Sequence, residues 1–225
     1  MDNILNYPLS CIVDKDVPKT KFYRFMEVNP RMKTRFVNDV VSIRWMYKLS
    51  PQTINVNGSE EMKEIEVFVA TLKGPDCPPD LFSFIDQNMP HHIVFILRYE
   101  NNAMLLLNYK DWTDGTHTKF KIRQSFTSRW ENINDIKLPI EGQSLERIYD
   151  NFVAFVSGIG EHKAGAMAEI VDLKQRIAKM ETDLKNLEAK VRREPQFDIQ
   201  MKMNKEVKAK RQELVILKEK LEKLK

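Results

Sequence analysis

The sequence predicts an α+β fold: a small mixed β-sheet covered by helices over residues 1–157, then a C-terminal antiparallel coiled-coil hairpin over residues 158–225. Three observations carry this expectation. The stretch from His92 to Lys110, HIVFILRYENNAMLLLNYK, holds two apolar runs at 93–97 and 103–107, on either side of Asn101-Asn102. An Asn pair tolerates the positive φ of a tight reversal between antiparallel strands. Neither run alternates with polar residues, so both faces of this hairpin must be covered. The segment EIEVFVATL at 64–72 reads as a further strand, with Ile65, Val67 and Val69 facing one way and Phe68 and Ala70 the other. From Ile170 onwards the apolar spacing turns to three and four, the period of a helical seam.

Residues 1–29 read as irregular, punctuated by Pro8 and Pro18, with a short helix at 19–26. Asn29 and Pro30 suit a helix start and Ser50-Pro51 a stop, which predicts one helix between them. Its stripe is Met32, Phe36, Val40, Ile43 and Tyr47. A short strand is expected at 53–56, then a turn at Asn57-Gly58. After the strand at 64–72, the Pro-rich GPDCPPD leads into a helix at 81–87 and on to the central hairpin. Strand, helix, strand in that order suggests one crossover between parallel strands. Asp114-Gly115 marks a turn, 117–126 an edge strand and 127–143 a loop. Ser144 caps a helix at 145–156 whose stripe is Leu145, Ile148, Tyr149, Phe152 and Val156, and Gly158 and Gly160 set the domain boundary.

In the appendage, Ile170, Leu173, Ile177, Met180, Leu184, Leu187 and Val191 form one seam, and Pro195 interrupts it. A second seam runs through Ile199, Met203, Val207, Leu214, Leu217, Leu221 and Leu224, out of heptad phase with the first. Folding back near residues 193–196 sets Val191 against Ile199, Leu187 against Met203, Ile177 against Leu214, Leu173 against Leu217 and Ile170 against Leu221. In this pairing Met180 meets Lys210 or Arg211, a poor interior layer.

Composition narrows the function classes. Two cysteines, Cys11 and Cys77, make neither a disulfide framework nor a metal cluster, which fits a reducing cytoplasm. No signal peptide or membrane span is expected. The net charge of +4 divides unevenly: residues 1–160 hold 19 basic and 20 acidic side chains, and residues 161–225 hold 17 and 12. The basic excess therefore belongs to the hairpin. No Gly-rich phosphate loop and no Ser or Cys nucleophile motif occurs, so no cofactor is expected.

Several stretches together resemble the bacterial domain-of-unknown-function family 4391. They are VPKTKFY at 17–23, IRWMYKLSPQTINV at 43–56, EIEVFVATLK at 64–73 and FIDQNMPHHIVFIL at 84–97. REPQFDIQMKMNKEVKAKRQEL at 193–214 is similar to the family's C-terminal helix. The resemblance implies a setting: such proteins tend to be encoded beside a helicase and a type III-like DNA methyltransferase, in anti-phage defence regions. It implies no catalytic residues.

Three function classes follow. The leading one is a non-catalytic accessory protein that meets a protein partner, or a second copy of itself, through the hairpin residues Ile170, Leu173, Ile177, Leu184, Leu187, Leu214, Leu217 and Leu221. The second is a divergent metal-dependent nuclease built on Asp39, Glu64, Glu66 and Lys73. Its spacing is wrong, because Lys73 lies seven residues after Glu66 and so points to the other face of a strand. The third is a DNA-binding adaptor using Lys15, Lys19, Lys21, Arg24, Arg31, Lys33 and Arg35. Arg31 and Arg35 project opposite the apolar stripe of the predicted helix, while Lys33, Arg44 and Lys48 fall in another sector, so these charges encircle a solvated face instead of lining a groove. His91 and His92 are weighed as metal ligands and set aside. Adjacent strand residues point apart, no acidic or Cys partner stands at a diagnostic spacing, and one histidine is expected to cap the strand while the other is solvated.

Overall fold

The computed structural model describes residues 3–25, 29–76, 79–113, 120–158 and 166–224. The chain forms two compact units, Met1–Ala164 and Gly165–Lys225. The first is built on a seven-stranded sheet of β1 (Ile12–Asp16), β2 (Val40–Leu49), β3 (Ile65–Leu72), β4 (His92–Tyr99), β5 (Asn102–Trp112), β6 (Phe120–Thr127) and β7 (Glu131–Asn132). The first six lie side by side in sequence order, and β7 pairs with β5. Every pairing is antiparallel except that of β3 with β4. This is the mixed sheet the sequence predicts, including the parallel crossover.

Its helices are α1 (Lys19–Phe25), α2 (Pro30–Asp39), α3 (Pro51–Ile54), α4 (Asp80–Gln87) and α5 (Leu145–Ser157), besides one 3-10 turn at Leu9–Cys11. Phe22 of α1, Phe36 of α2, and Leu81, Phe82 and Ile85 of α4 cluster with Phe68, Ala70, Ile93, Phe95 and Leu97 on one face of the sheet. The alternate residues Ile65, Val67, Val94, Ile96, Leu105 and Leu107 are just as buried, so the other face is covered too. There α5 packs on β5 and β6, and its Tyr149 meets His92. Ser144 caps α5 as expected, its Oγ accepting the Arg147 N–H at 3.2 Å.

The helix predicted between Asn29 and Ser50 is two elements. Asn29 caps it, its Oδ1 accepting the Met32 N–H at 2.8 Å, but the helix ends at Asp39 and Val40–Leu49 is strand β2. The cause is visible in the pairing. The β2–β3 register shifts twice, between Val40 and Ser42 and between Trp45 and Tyr47. The first bulge inserts a residue, so Val40 and Ile43, three apart, share one face beside Leu72 and Ala70. The second turns Tyr47, beside Val67, to the opposite face. Both faces are covered, so buried residues drawn from the two faces recur at three and four, as on a helix. The β-branched and aromatic content of VVSIRWMYKL was the better guide.

Three smaller expectations also change. Residues 51–54 form α3, not a strand, where Ser50 N–H donates to Thr53 Oγ1 at 2.8 Å. The N-terminal segment contributes β1, which the sequence did not announce. In the β4–β5 turn the residue with positive φ is Glu100 at 52°, one place before the Asn pair. The turn at Asp114-Gly115, the start of the edge strand and Gly160 lie outside the described residues.

The second unit consists of α6 (Met167–Arg193) and α7 (Phe197–Leu224), which pack against each other. Glu194, Pro195 and Gln196 make the turn, as the phase break predicts. Gln200 Nε2 donates to the Val191 carbonyl at 3.1 Å, and Glu188–Arg211 and Glu181–Lys218 ion pairs, each at 2.7 Å, tie the helices together.

Candidate functional site

Glu64, Glu66, His91 and Lys48 converge at one end of the sheet. Glu64 immediately precedes β3, Glu66 lies within it, and His91 immediately precedes β4. In the parallel β3–β4 register Glu66 stands beside Ile93, which brings Glu64 beside His91 two residues earlier. Lys48 on β2 stands opposite Glu66. Strand alternation then turns Glu64, Glu66 and His91 to the same face, and one donor atom from each lies within 4.8 Å of the others.

The contacts are directional. Glu64 Oε1 lies 3.3 Å from His91 Nε2, while its Oε2 is ion-paired with Lys48. Glu66 is 5% exposed, and its Oε2 is buried without a hydrogen-bond partner. Burial, reinforced by the negative charge of Glu64, pushes the Glu66 carboxyl up to about 7 against the pull of Lys48 and Lys110. Burial also holds the His91 imidazole below its ordinary value, with Lys48 and Lys110 adding to it and Glu64 opposing.

Behind this cluster sits a second one. The Lys110 ammonium donates to the Asp86 backbone carbonyl at 3.0 Å, to Asp86 Oδ1 at 2.5 Å and to the His91 carbonyl at 2.8 Å. It also stands 3.9 Å from the Phe120 ring centroid. All three of its donors are therefore used. Asp86 Oδ2 accepts from Asn108 Nδ2 at 2.8 Å. His92 points the opposite way from His91, edge-on to Phe120 and Tyr149 at 5.1 and 4.7 Å. It is buried, not solvated, and burial keeps its imidazole well below the ordinary value. Its role is packing.

The nuclease constellation is only half assembled. Glu64 and Glu66 come together, but Asp39 and Lys73 lie at the far end of β3, where Lys73 N–H donates to the Asp39 carbonyl at 2.9 Å. Lys73 Nζ donates to the Val37 carbonyl at 2.8 Å. Seven residues of strand place Lys73 about 23 Å from Glu66. His91 has no acidic partner at a diagnostic local spacing, yet the fold gives it two. Its partners come from the neighbouring parallel strand, 25 and 27 residues away in sequence, a relation that no local spacing encodes.

Two members of the basic cluster are engaged inside the molecule. Arg35 makes a bidentate pair with Asp80 at 2.6 and 2.8 Å and also meets Asp39 at 3.6 Å. Lys19 donates to the Val40 carbonyl. Lys15, Lys21, Arg31 and Lys33 are exposed, and the side chain of Arg24 is outside the described ones. Arg44 and Lys48, placed on a helix by the sequence, are on β2, where Arg44 pairs with Asp14 and Asp16.

In the hairpin, Ile170, Leu173, Ile177, Leu217 and Leu221 are buried, and Leu184, Leu187 and Leu214 are half-buried. These seam residues are turned inward, and Ile199 is the member that is exposed. The outward apolar residues, which the seam analysis passed over, are Phe197, Met201, Val215 and Ile216. Separately, a mostly apolar groove of 670 Å³ is lined by Leu5, Tyr7, Ile54, Leu138 and Phe155 among others.

Fold and site together define an α+β mixed-sheet protein with a carboxylate–histidine cluster at one sheet end and a helical hairpin as its second unit. A family model covers residues 5–214, and the chain belongs to that family, DUF4391, a domain of unknown function. No curated protein and no solved structure matches the chain significantly. Among the described residues, no helix is long and apolar enough to cross a membrane.

Proposed function

We propose that this protein is a non-catalytic accessory component of a bacterial anti-phage defence assembly and that its hairpin docks a protein partner. The observation that carries this reading is the outer face of α7. Phe197 is 71% exposed and Met201, one turn on, is 47% exposed. Large apolar side chains on one helix face, in a segment with a basic excess, suit an apolar groove with an acidic rim. The family resemblance supplies the setting and names the partner class, a helicase or a DNA methyltransferase of the same cytoplasmic system.

Two alternatives have less support. The nuclease reading needs Lys73, which is held at the far end of β3 from Glu64 and Glu66, and a DNA adaptor must work with cations that are partly held in intramolecular pairs. The test is co-expression with the neighbouring helicase and methyltransferase. Phe197→Ser with Met201→Ser should leave helicity unchanged while abolishing co-purification and protection against phage. Retention of both by the double variant would overturn docking through this face. Salt-dependent binding of the purified chain to duplex DNA would favour the adaptor instead.

A further inference from the structure

We propose that Glu64, Glu66 and His91 form a binding site for one divalent transition-metal ion of the Zn²⁺ or Mn²⁺ kind. The argument begins with donor geometry. Two donors bound at about 2.1 Å in a tetrahedral shell stand about 3.4 Å apart. His91 Nε2 and Glu64 Oε1 are already 3.3 Å apart, and a Glu66 oxygen lies within the same 4.8 Å group. Small rotations of the carboxylates close the shell, and water can complete it through the partly exposed edge formed by Glu64 and His91, which are 14% and 29% exposed.

The second observation is independent of this spacing. Glu66 is 5% exposed, and its Oε2 has no hydrogen-bond partner. A buried carboxylate oxygen without a donor is costly, and a cation between the strands supplies the missing partner. Neither nearby lysine does so. The Lys110 donors are all taken by Asp86 and the His91 carbonyl, and Lys48 is committed to Glu64 Oε2.

The surroundings resemble the support that metal ligands ordinarily have. Lys48 holds one Glu64 oxygen and so aims the other at His91. Lys110 grips the His91 carbonyl and fixes where that residue enters the site. Both are positioning residues. An imidazole beside two carboxylates selects a borderline cation over Mg²⁺ or Ca²⁺, which prefer oxygen donors throughout.

The inference stands apart from the docking proposal, since neither needs the other. The full-length chain, stripped with chelator, should bind one equivalent of Zn²⁺ in equilibrium dialysis, and its melting temperature should rise. Glu66→Gln keeps the shape and removes the charge, and His91→Gln removes the nitrogen at a half-exposed position. Each should weaken Zn²⁺ binding by at least about tenfold while the apo protein still melts cooperatively. Lys73→Ala, at the far end of β3, should bind as the wild type does. Co²⁺ should give visible ligand-field bands that both ligand variants lose. Absence of binding by the wild type, or binding that neither ligand variant weakens, would overturn the site.

Discussion

Lys110 on β5 and Asp86 on α4 form an ion pair at 2.5 Å in which neither side chain reaches solvent. Burial pushes the Asp86 carboxyl up and the Lys110 ammonium down, and their mutual attraction opposes both shifts. The pair persists because its remaining hydrogen-bonding groups are engaged as well, by Asn108, by the backbone of Asp86 and His91, and by the face of Phe120. Removing one partner strands the other. Lys110→Met or Asp86→Leu alone should cost about 3–5 kcal/mol in denaturant unfolding. The double variant should cost clearly less than the sum, and strict additivity would show that the two groups do not depend on each other.

How much of this was legible is decided by where the partners lie in the chain. The hairpin of β4 and β5 follows from two continuous apolar runs, and the long hairpin of α6 and α7 follows from two seams out of phase. Strand β2 was hidden because it is bulged and buried on both faces, so Val40 and Ile43 on one face and Tyr47 on the other together mimic a helical spacing. The charged cluster was hidden for another reason: its members meet only through the parallel register of β3 and β4 and the docking of α4. One signal was available. Asp86 follows Leu81, Phe82 and Ile85 on the apolar face of its helix, and Lys110 closes an apolar strand, so two ionisable residues stood where burial was expected.

Gly142 should resist replacement. Its φ is +141°, a region essentially reserved for glycine, and a Cβ there would lie 3.0 Å from the backbone N of Ile148 in α5. Gly142→Ala should lower stability by about 1–3 kcal/mol. Gly158 also has positive φ, at 70°, but a Cβ there would meet nothing within 4 Å. Gly158→Ala should therefore cost less than Gly142→Ala in the same thermal melts.

Asp150 gives stability a pH dependence of definite sign. Burial, with Glu146 adding and Arg147 opposing, raises its carboxyl to about 6. The folded state thus holds this proton more tightly than the unfolded chain, whose Asp titrates near about 3.9. The stability linked to the proton is fully present below about pH 4 and is lost as pH rises through about 6. Asp150→Asn should gain about 1–2 kcal/mol relative to wild type at pH 8, after discounting for partial exposure. The gain should vanish by pH 4, and a difference that is flat from pH 4 to 8 would remove burial of the charge as the cause.

Lys210 occupies the weak layer of the hairpin. It is half-buried on α7, in step with the buried Val207, Leu217 and Leu221, whereas Arg211 is turned out to Glu188 at 2.7 Å. A lysine there buries its stem and must carry its ammonium to water. Lys210→Leu should raise hairpin stability by about 1 kcal/mol, read as a higher urea midpoint for the far-ultraviolet helical signal. Arg211→Leu should not, because it loses an ion pair and gains an exposed apolar side chain.

The pairing of the two long helices within one chain has a direct chemical test. Leu173 and Leu217 are 1% and 6% exposed, and the fold-back expected from the two seams sets them across from each other. Apolar burial of such residues contributes about 1.5–3 kcal/mol each, so Leu217→Asp should unzip the middle of the hairpin. Leu173→Cys with Leu217→Cys, in a background lacking Cys11 and Cys77, should oxidise to an intramolecular disulfide even at low protein concentration. That product runs as a monomer on a non-reducing gel, with mobility restored by reductant. Dimers whose yield climbs with protein concentration would mean that α6 of one chain pairs with α7 of another, and the fold-back within the chain would then be wrong.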